Sequence, residues 1–170
     1  MNTGLLPANA LWWANTREGS VVALWVEPRV WKVALQLSPS KPAERFRLPM
    51  PGLIFLCRPG KAPWVFAAKK RPAALKDEVF HAPCFNVFRD GRVCPGTHKF
   101  PMRAEEIPES FFRSFFSPTG DQSDRSHKHP KALGKLWKVL NGQKTYPVKD
   151  LVCHGTVGDL MKLDLEERRW

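Results

Sequence analysis

The chain has 170 residues and a formal net charge of +11 at pH 7. This length suits one domain, expected to span residues 1–170, and such a domain buries enough surface to fold without metals or disulfides. No apolar run approaches the roughly 20 residues of a membrane-spanning helix, and no basic leader precedes the apolar residues 5–13, which argues against a membrane anchor and a signal peptide. We therefore expect a cytoplasmic protein with no membrane partner.

The first half of the chain predicts an antiparallel meander. Apolar stretches at residues 10–14, 21–26 and 30–37 are separated by turns that contain glycine or proline. The third stretch alternates with a period of two, so one of its faces is buried and the other is wet. Its buried face comprises Trp31, Val33, Leu35 and Leu37. A basic, proline-bearing link over residues 38–47 precedes a predicted hairpin of residues 53–57 and 64–68.

The second half predicts loops and helices. Residues 69–94 are interrupted by Pro72, Pro83 and an Asp-Gly pair, which favour a loop. A short helix follows Pro108, with phenylalanines at helical spacing at positions 111, 112, 115 and 116, and Pro118-Thr119-Gly120 ends it. Residues 121–130 are polar and are expected to be mobile.

Two further helices are predicted near the C-terminal end. In the first, one face is apolar and another is basic, and Asn141-Gly142 ends it. The apolar face comprises Leu133, Leu136, Trp137 and Leu140, and the basic face comprises Lys131, Lys135 and Lys138. The last helix begins at Thr156, whose hydroxyl can cap the amide of Asp159.

A turn at Asp90-Gly91 predicts that Asn86 and Cys94 are neighbours. Glycine tolerates positive φ and aspartate bonds its own backbone, so the chain reverses there and pairs residues 86–88 with residues 92–94. A thiol can attack a carbonyl and leave again, and a nearby amide can donate a hydrogen bond to the oxyanion that forms. The pair therefore indicates acyl transfer with Cys94 as nucleophile. Asn86 either donates to the oxyanion or braces the loop, and the two roles are compatible.

The order of these parts resembles the ubiquitin-conjugating enzyme fold. Asn86-Val87, Asp90-Gly91-Arg92 and Val93-Cys94 match the asparagine, the turn and the cysteine of those enzymes. The strings Ala82-Pro83-x-Phe85-Asn86-Val87, Gly91-Arg92-Val93-Cys94-Pro95-Gly96 and Phe111-Phe112-x-Ser114-x-Phe116 resemble prokaryotic conjugating-enzyme family D, the PRTRC system protein B family. Cys84-Phe85 stand where the eukaryotic motif has His-Pro.

The resemblance implies a fold and an activity. The fold is α+β and ubiquitin-conjugating-enzyme-like, an antiparallel β-meander followed by an active-site loop and C-terminal helices. The activity is that of a transferase in a bacterial ubiquitination-like pathway, which carries a ubiquitin-like protein as a thioester on Cys94 and passes it to an acceptor. The implied partners are that ubiquitin-like protein and a ThiF-like activating enzyme, alone or fused to a JAB-type peptidase. No cofactor is expected, because the activating enzyme uses the ATP.

Nearby cations are predicted to assist Cys94, and the other cysteines are predicted to have no chemical role. A free thiol with pKa near 8.5 is only a few per cent ionised at neutral pH, so a neighbouring cation from Arg92, Lys99 or Arg103 would favour the reactive thiolate. The other cysteines are expected to be inert core residues. These are Cys57, Cys84 and Cys153.

Metal binding and other chemistries fit the spacing poorly. The segment from Cys84 through Cys94 to His98 follows no zinc pattern, and we expect no metal. His127 and His129 are expected to be polar loop residues, with a proton-shuttling role near Cys94 as the alternative. Phosphate loops, serine elbows and paired carboxylates are missing from the sequence, which argues against nucleotide hydrolysis, serine hydrolysis and glycosidase chemistry.

The charge of the chain leaves two alternatives to an enzyme open. Residues 125–149 contain basic side chains but no aspartate or glutamate. They form either a solvated face or a surface for an anionic partner. One alternative is a noncatalytic binder of a ubiquitin-like protein on the same fold. The other is a basic nucleic-acid-binding protein, in which exposed tryptophans stack on bases.

Overall fold

The computed structural model describes residues 6–118, 120–163 and 165, and this part of the chain is a mixture of strands and helices. The strands are β1 (Ala10–Thr16), β2 (Gly19–Val26), β3 (Arg29–Leu35), β4 (Glu44–Met50), β5 (Gly52–Cys57), β6 (Trp64–Ala68), β7 (Glu78–His81), β8 (Phe115–Phe116) and β9 (Cys153–Thr156). The α-helices are α1 (Ile107–Arg113), α2 (Leu133–Leu140) and α3 (Val157–Leu160), with one-turn 3₁₀ helices at Ala104–Glu106 and Val148–Asp150. The α+β prediction is confirmed.

The strands form two sheets. An antiparallel sheet has the order β1-β2-β5-β6-β7-β9, and a second sheet has the order β4-β3-β8. The predicted hairpin is confirmed, because β5 and β6 pair antiparallel with Ile54 opposite Phe66. The predicted three-strand meander is wrong: β2 pairs with β5 on its second edge, and β3 leaves for the other sheet.

Two strands lie where the sequence predicts connections. The link over residues 38–47 ends inside β4, which tolerates Pro49 because β4 is an edge strand and needs no ladder hydrogen bond there. The segment predicted as a loop contains β7, which pairs with β6 and β9. Because β3 ends at Leu35, Leu37 is exposed and the prediction of a buried side chain there is wrong.

The central strands of the larger sheet are buried on both faces. In the smaller sheet, β3 has one buried face, as predicted, because Trp31, Val33 and Leu35 are buried and Lys32 is exposed. Every residue of β5 and β6 is buried. One face packs against the smaller sheet, α1 and α2, as the contact of Phe55 with Phe111 shows. The opposite face packs against the apolar side of α3, which contributes Val157 and Leu160. Two cores on either side of β5 and β6 fix these strands beside the candidate site.

The phenylalanine-rich helix is shorter than predicted. Helix α1 ends at Arg113, and Ser114 is extended, with its hydroxyl donating to Phe111 O at 2.6 Å. The chain then forms β8, which pairs parallel to β3. As a result Phe116 is buried whereas Phe115 is exposed. Helical spacing of four aromatic residues therefore spans a helix and a strand.

The two later helices agree with their predictions. Helix α2 buries its apolar face and exposes its lysines, and it ends before Asn141. Helix α3 begins with a capping box in which Thr156 and Asp159 each accept a bond from the other's backbone amide. In the described part of the chain, no helix has both the length and the apolar character needed to cross a membrane. The single-domain and cytoplasmic expectations stay predictions.

Candidate active site

The segment from Asn86 to Cys94 folds into a hairpin. The amide of Cys94 donates to the carbonyl of Asn86 at 2.7 Å, and the amide of Phe88 donates to the carbonyl of Arg92 at 2.8 Å. The amide of Gly91 closes the turn by donating to Phe88 O at 3.0 Å. The loop thus has three residues and ends on a left-handed glycine, rather than being a two-residue turn at Asp90-Gly91. The two predicted residues are nevertheless brought together at the backbone.

Gly91 also lets the hairpin dock on the larger sheet. Its φ is +87°, and a Cβ at this position would lie 2.2 Å from Cζ of Phe66 in β6. Val65 donates to the carbonyl of Gly91 at 2.8 Å, and Val93 donates to the carbonyl of Pro63 at 3.0 Å. The backbone on both sides of the turn is therefore anchored to β6 and the residue before it.

Asn86 is a buried brace between the hairpin and β8. Its backbone is left-handed, with φ of +62°, a conformation that asparagine adopts more readily than most residues. Its Nδ2 donates to Phe115 O at 3.0 Å. Its Oδ1 accepts from the amide of Ser117 at 2.8 Å and from the hydroxyl of Ser117 at 3.1 Å. The carboxamide has one further N–H, because a primary amide carries two donors.

The four cysteines are free thiols that differ in exposure. Cys57 and Cys84 are buried, and burial raises the pKa of both thiols, that of Cys84 to about 12. Their expected inert role agrees with this burial. Cys94 is partly exposed and is followed by exposed residues 95–97. Cys153 is exposed on β9, so its placement in the core was wrong.

Two of the three cations predicted to assist Cys94 lie against acids. Arg92 Nε is 2.7 Å from Asp90 Oδ2, and Arg103 Nη2 is 2.6 Å from Glu105 Oε1. The positive charges of Arg92 and Arg103 are therefore partly neutralised by their carboxylate partners. Lys99 is exposed.

His98 is a titratable group next to the hairpin that sequence reasoning considered only as a metal ligand. Its amide donates to Pro95 O at 2.9 Å, so the chain turns directly after Cys94. Its Nε2 is 2.8 Å from Ser110 Oγ, and its ring packs edge-on against Phe100 with centroids 4.8 Å apart. The imidazole is thus held in place by α1.

Two side chains bond the backbone of this segment in ways that the sequence analysis did not predict. Arg125 is almost fully buried and donates from Nη2 to Val87 O at 3.0 Å, although the sequence placed it on a basic face in a mobile segment. Burial lowers the pKa of this guanidinium. Trp137 of α2 donates to Pro83 O at 2.9 Å and packs edge-on against Phe85. No local signal distinguishes Arg125 from the exposed lysines that follow it.

The loop with His127 and His129 is held by a buried carboxylate. Asp150 accepts from the amide of Lys128 at 2.8 Å and from the hydroxyl of Ser126 at 2.5 Å. Ser126 is buried, so the prediction of a mobile solvated segment is wrong here. Within residues 6–118, 120–163 and 165, no three histidine, cysteine or acidic side chains cluster as metal ligands would.

Comparison with known proteins identifies a family. The family model described as Prokaryotic E2 family D matches residues 1–154, which include the whole hairpin. No curated protein and no solved structure matches the chain.

Proposed function

Since this chain belongs to prokaryotic E2 family D, we propose that it is a conjugating enzyme that carries a ubiquitin-like protein as a thioester on Cys94. The observation that carries the proposal is the bond from the Cys94 amide to Asn86 O, which joins the backbone of the partly exposed Cys94 to that of the buried Asn86. Cys57 and Cys84 are too buried for this role. The α+β arrangement is then a variant of the ubiquitin-conjugating enzyme fold, with the hairpin as its active-site loop.

The first step is thioester exchange. The Cys94 thiolate attacks the carbonyl carbon of the thioester that joins the ubiquitin-like protein to its activating enzyme. A carbon–sulfur bond to Cys94 forms, the bond to the activating enzyme breaks, and that enzyme's thiolate leaves. The exposure of residues 95–97 supports this step, because a protein-sized donor has to approach the sulfur.

The second step is transfer to the acceptor. A lysine amine of the acceptor attacks the thioester, the carbon–nitrogen bond forms, the amine loses a proton, and the thiolate of Cys94 is released. Negative charge develops on the carbonyl oxygen before the carbon–sulfur bond breaks. The second N–H of Asn86 is the proposed donor to this oxyanion. Its other contacts to Phe115 and Ser117 would hold the carboxamide in place for that bond.

The partners follow from the proposed activity. They are a ubiquitin-like protein and a ThiF-like activating enzyme, alone or fused to a JAB-type peptidase, as in a PRTRC system. ATP is consumed in forming the first thioester on the activating enzyme. This chain then needs no cofactor, because the acyl group arrives already activated.

Reconstitution with these partners tests the proposal. The protein is incubated with the ubiquitin-like protein, the activating enzyme and ATP, and the products are separated with and without thiol reductant. We expect a reductant-sensitive adduct on wild type and on Cys153→Ala, which is the matched control because it removes another accessible thiol. We expect none on Cys94→Ala. An undiminished adduct on Cys94→Ala would sink the proposal.

The role of Asn86 is tested separately by single-turnover transfer to free lysine. Asn86→Gly removes the carboxamide but keeps the left-handed backbone accessible. Loss of an oxyanion donor lowers the transfer rate by roughly 100-fold or more while loading persists. Ser117→Ala weakens the brace without removing the donor. Equal slowing by both variants would show that Asn86 acts only as a brace.

One observation favours a noncatalytic binder as the second candidate. The carboxamide of Asn86 already has three contacts to Phe115 of β8 and to Ser117, which would account for an asparagine at this position without any chemistry. In that case wild type and Cys94→Ala bind the ubiquitin-like protein equally, and neither forms a thioester. The reconstitution above distinguishes the two candidates.

A further inference from the structure

A cationic groove crosses the outer face of the β3–β4 ribbon, on the far side of β8 from Asn86. It encloses about 580 Å³ and is lined by four exposed basic side chains and no carboxylate. The basic residues are Lys32, Arg45, Arg47 and Arg113. Among the described residues, none of these four forms an ion pair.

The strand register concentrates this charge. Lys32 of β3 lies directly opposite Arg47 of β4, and Arg45 lies two residues away from Arg47 on the same face, opposite Ala34. Like charges directly across an antiparallel pair destabilise the pair. The ribbon thus holds a repulsive cluster that an anionic ligand would neutralise.

The framework of the groove is fixed by bonds to the backbone. Asn141, at the end of α2, accepts from the amide of Arg47 at 2.9 Å, and the amide of Gly142 donates to the carbonyl of Arg47 at 2.9 Å. Arg113 is the last residue of α1 and also lines the groove. The backbone of β4 at Arg47 is therefore fixed to the end of α2, while the four basic side chains remain exposed to a ligand.

The lining favours carboxylates on a protein over nucleic acid. The aromatic rings of the groove, Phe46 and Phe112, are buried and offer no open face on which a base could stack. The cations stand on exposed, flexible stems, unlike the few fixed polar groups of a small-molecule pocket. Arginine binds carboxylates with two parallel hydrogen bonds.

We propose that this groove docks an acidic segment of a protein partner, whose glutamate and aspartate side chains pair with Arg45, Arg47 and Arg113. The net charge of +11 would steer such a segment towards the protein. The interaction needs no reaction at Cys94, so this proposal can be tested whether or not Cys94 forms a thioester.

Peptide binding tests this site. A fluorescein-labelled peptide of about ten glutamates, long enough to span roughly 30 Å, is titrated with full-length protein at low ionic strength and at about 0.15 M salt. A glutamine peptide and a single-stranded thymidine oligonucleotide of equal charge are the comparison ligands. The groove variant is Arg45→Glu with Arg47→Glu. The matched control is Lys131→Glu with Lys135→Glu, which makes the same charge change at two exposed lysines, one in α2 and one two residues before it.

The expected result is a glutamate peptide that binds more tightly than either comparison ligand. The groove variant should weaken it about tenfold or more, the control variant by less than about threefold, and Cys94→Ala not at all. Arg45→Gln with Arg47→Gln removes the two charges without reversing them and should weaken binding to an intermediate degree. This second variant keeps the test valid if the double glutamate variant fails to fold. Equal weakening by groove and control variants, tighter binding of the oligonucleotide, or no peptide binding at low salt would each overturn the proposal.

Discussion

Replacing Asn86 by glycine and by alanine measures the brace and its backbone separately. Three hydrogen bonds at about 0.5–1.5 kcal/mol each are lost in both variants. Because Ser117 and the Phe115 carbonyl lie near solvent, we expect the lower half of that range, about 2 kcal/mol, for Asn86→Gly. Alanine pays an additional strain in the left-handed region at φ of +62°. Glycine offsets part of this difference, because it loses more conformational freedom on folding than alanine does. Asn86→Ala should therefore be less stable than Asn86→Gly by about 0.5–1 kcal/mol.

Urea unfolding followed by tryptophan fluorescence gives both values, since the chain has seven tryptophans. Ser117→Ala removes one of the three bonds and should cost about 0.5–1 kcal/mol. A loss below about 0.5 kcal/mol for Asn86→Gly would refute the brace. An alanine variant as stable as the glycine variant would refute the left-handed backbone.

Three further outcomes are expected. Gly91→Ala should lower the free energy of unfolding by roughly 2–4 kcal/mol in thermal or urea melts, because φ is +87° and the added Cβ would clash with Phe66. The control is Gly96→Ala, which should lower it by only about 1 kcal/mol, because φ is +53° and the space around Gly96 is open. Arg47→Glu should raise the free energy of unfolding by about 0.5 kcal/mol by facing Lys32 with an opposite charge, and a loss would contradict the register. Burial and the nearby His154 and Arg125 lower the pKa of His81 from 6.5 to about 4. Between pH 6.5 and about pH 4, His81 therefore binds a proton in the unfolded chain but not in the folded protein. Stability should therefore fall as pH drops from about 6.5 towards 4, and His81→Gln should flatten that slope in urea melts at a series of pH values.

Local signals explain which parts of the fold were predictable. The β5–β6 hairpin, the amphipathic α2 and the capping box of α3 depend on residues close together in sequence, and all three are confirmed. The partner of β3 and the strand β7 depend on pairing with distant segments, which period and turn residues do not report. Four phenylalanines at helical spacing fit a helix equally well whether or not Ser114 breaks it.

The candidate site was predictable only in part for the same reason. The Asp-Gly turn indicated correctly that Asn86 and Cys94 meet, because the hairpin is local. The contacts of Asn86 to β8 and the bond from Arg125 to Val87 O join residues about 30 or more positions apart. The sequence does not distinguish a buried arginine from an exposed one, so Arg125 was assigned to the basic surface.

The most direct measurement is the location of the acyl group by peptide-resolved mass spectrometry. The protein is loaded with the ubiquitin-like protein and unfolded in denaturant, its free thiols are blocked, the thioester is cleaved with hydroxylamine, and the thiol that is released is labelled. We predict that the label falls on Cys94, while Cys57, Cys84 and Cys153 were already blocked. A label on Cys153, or no released thiol in a mixture whose activating enzyme is itself loaded, would contradict the assignment of this hairpin as the active site.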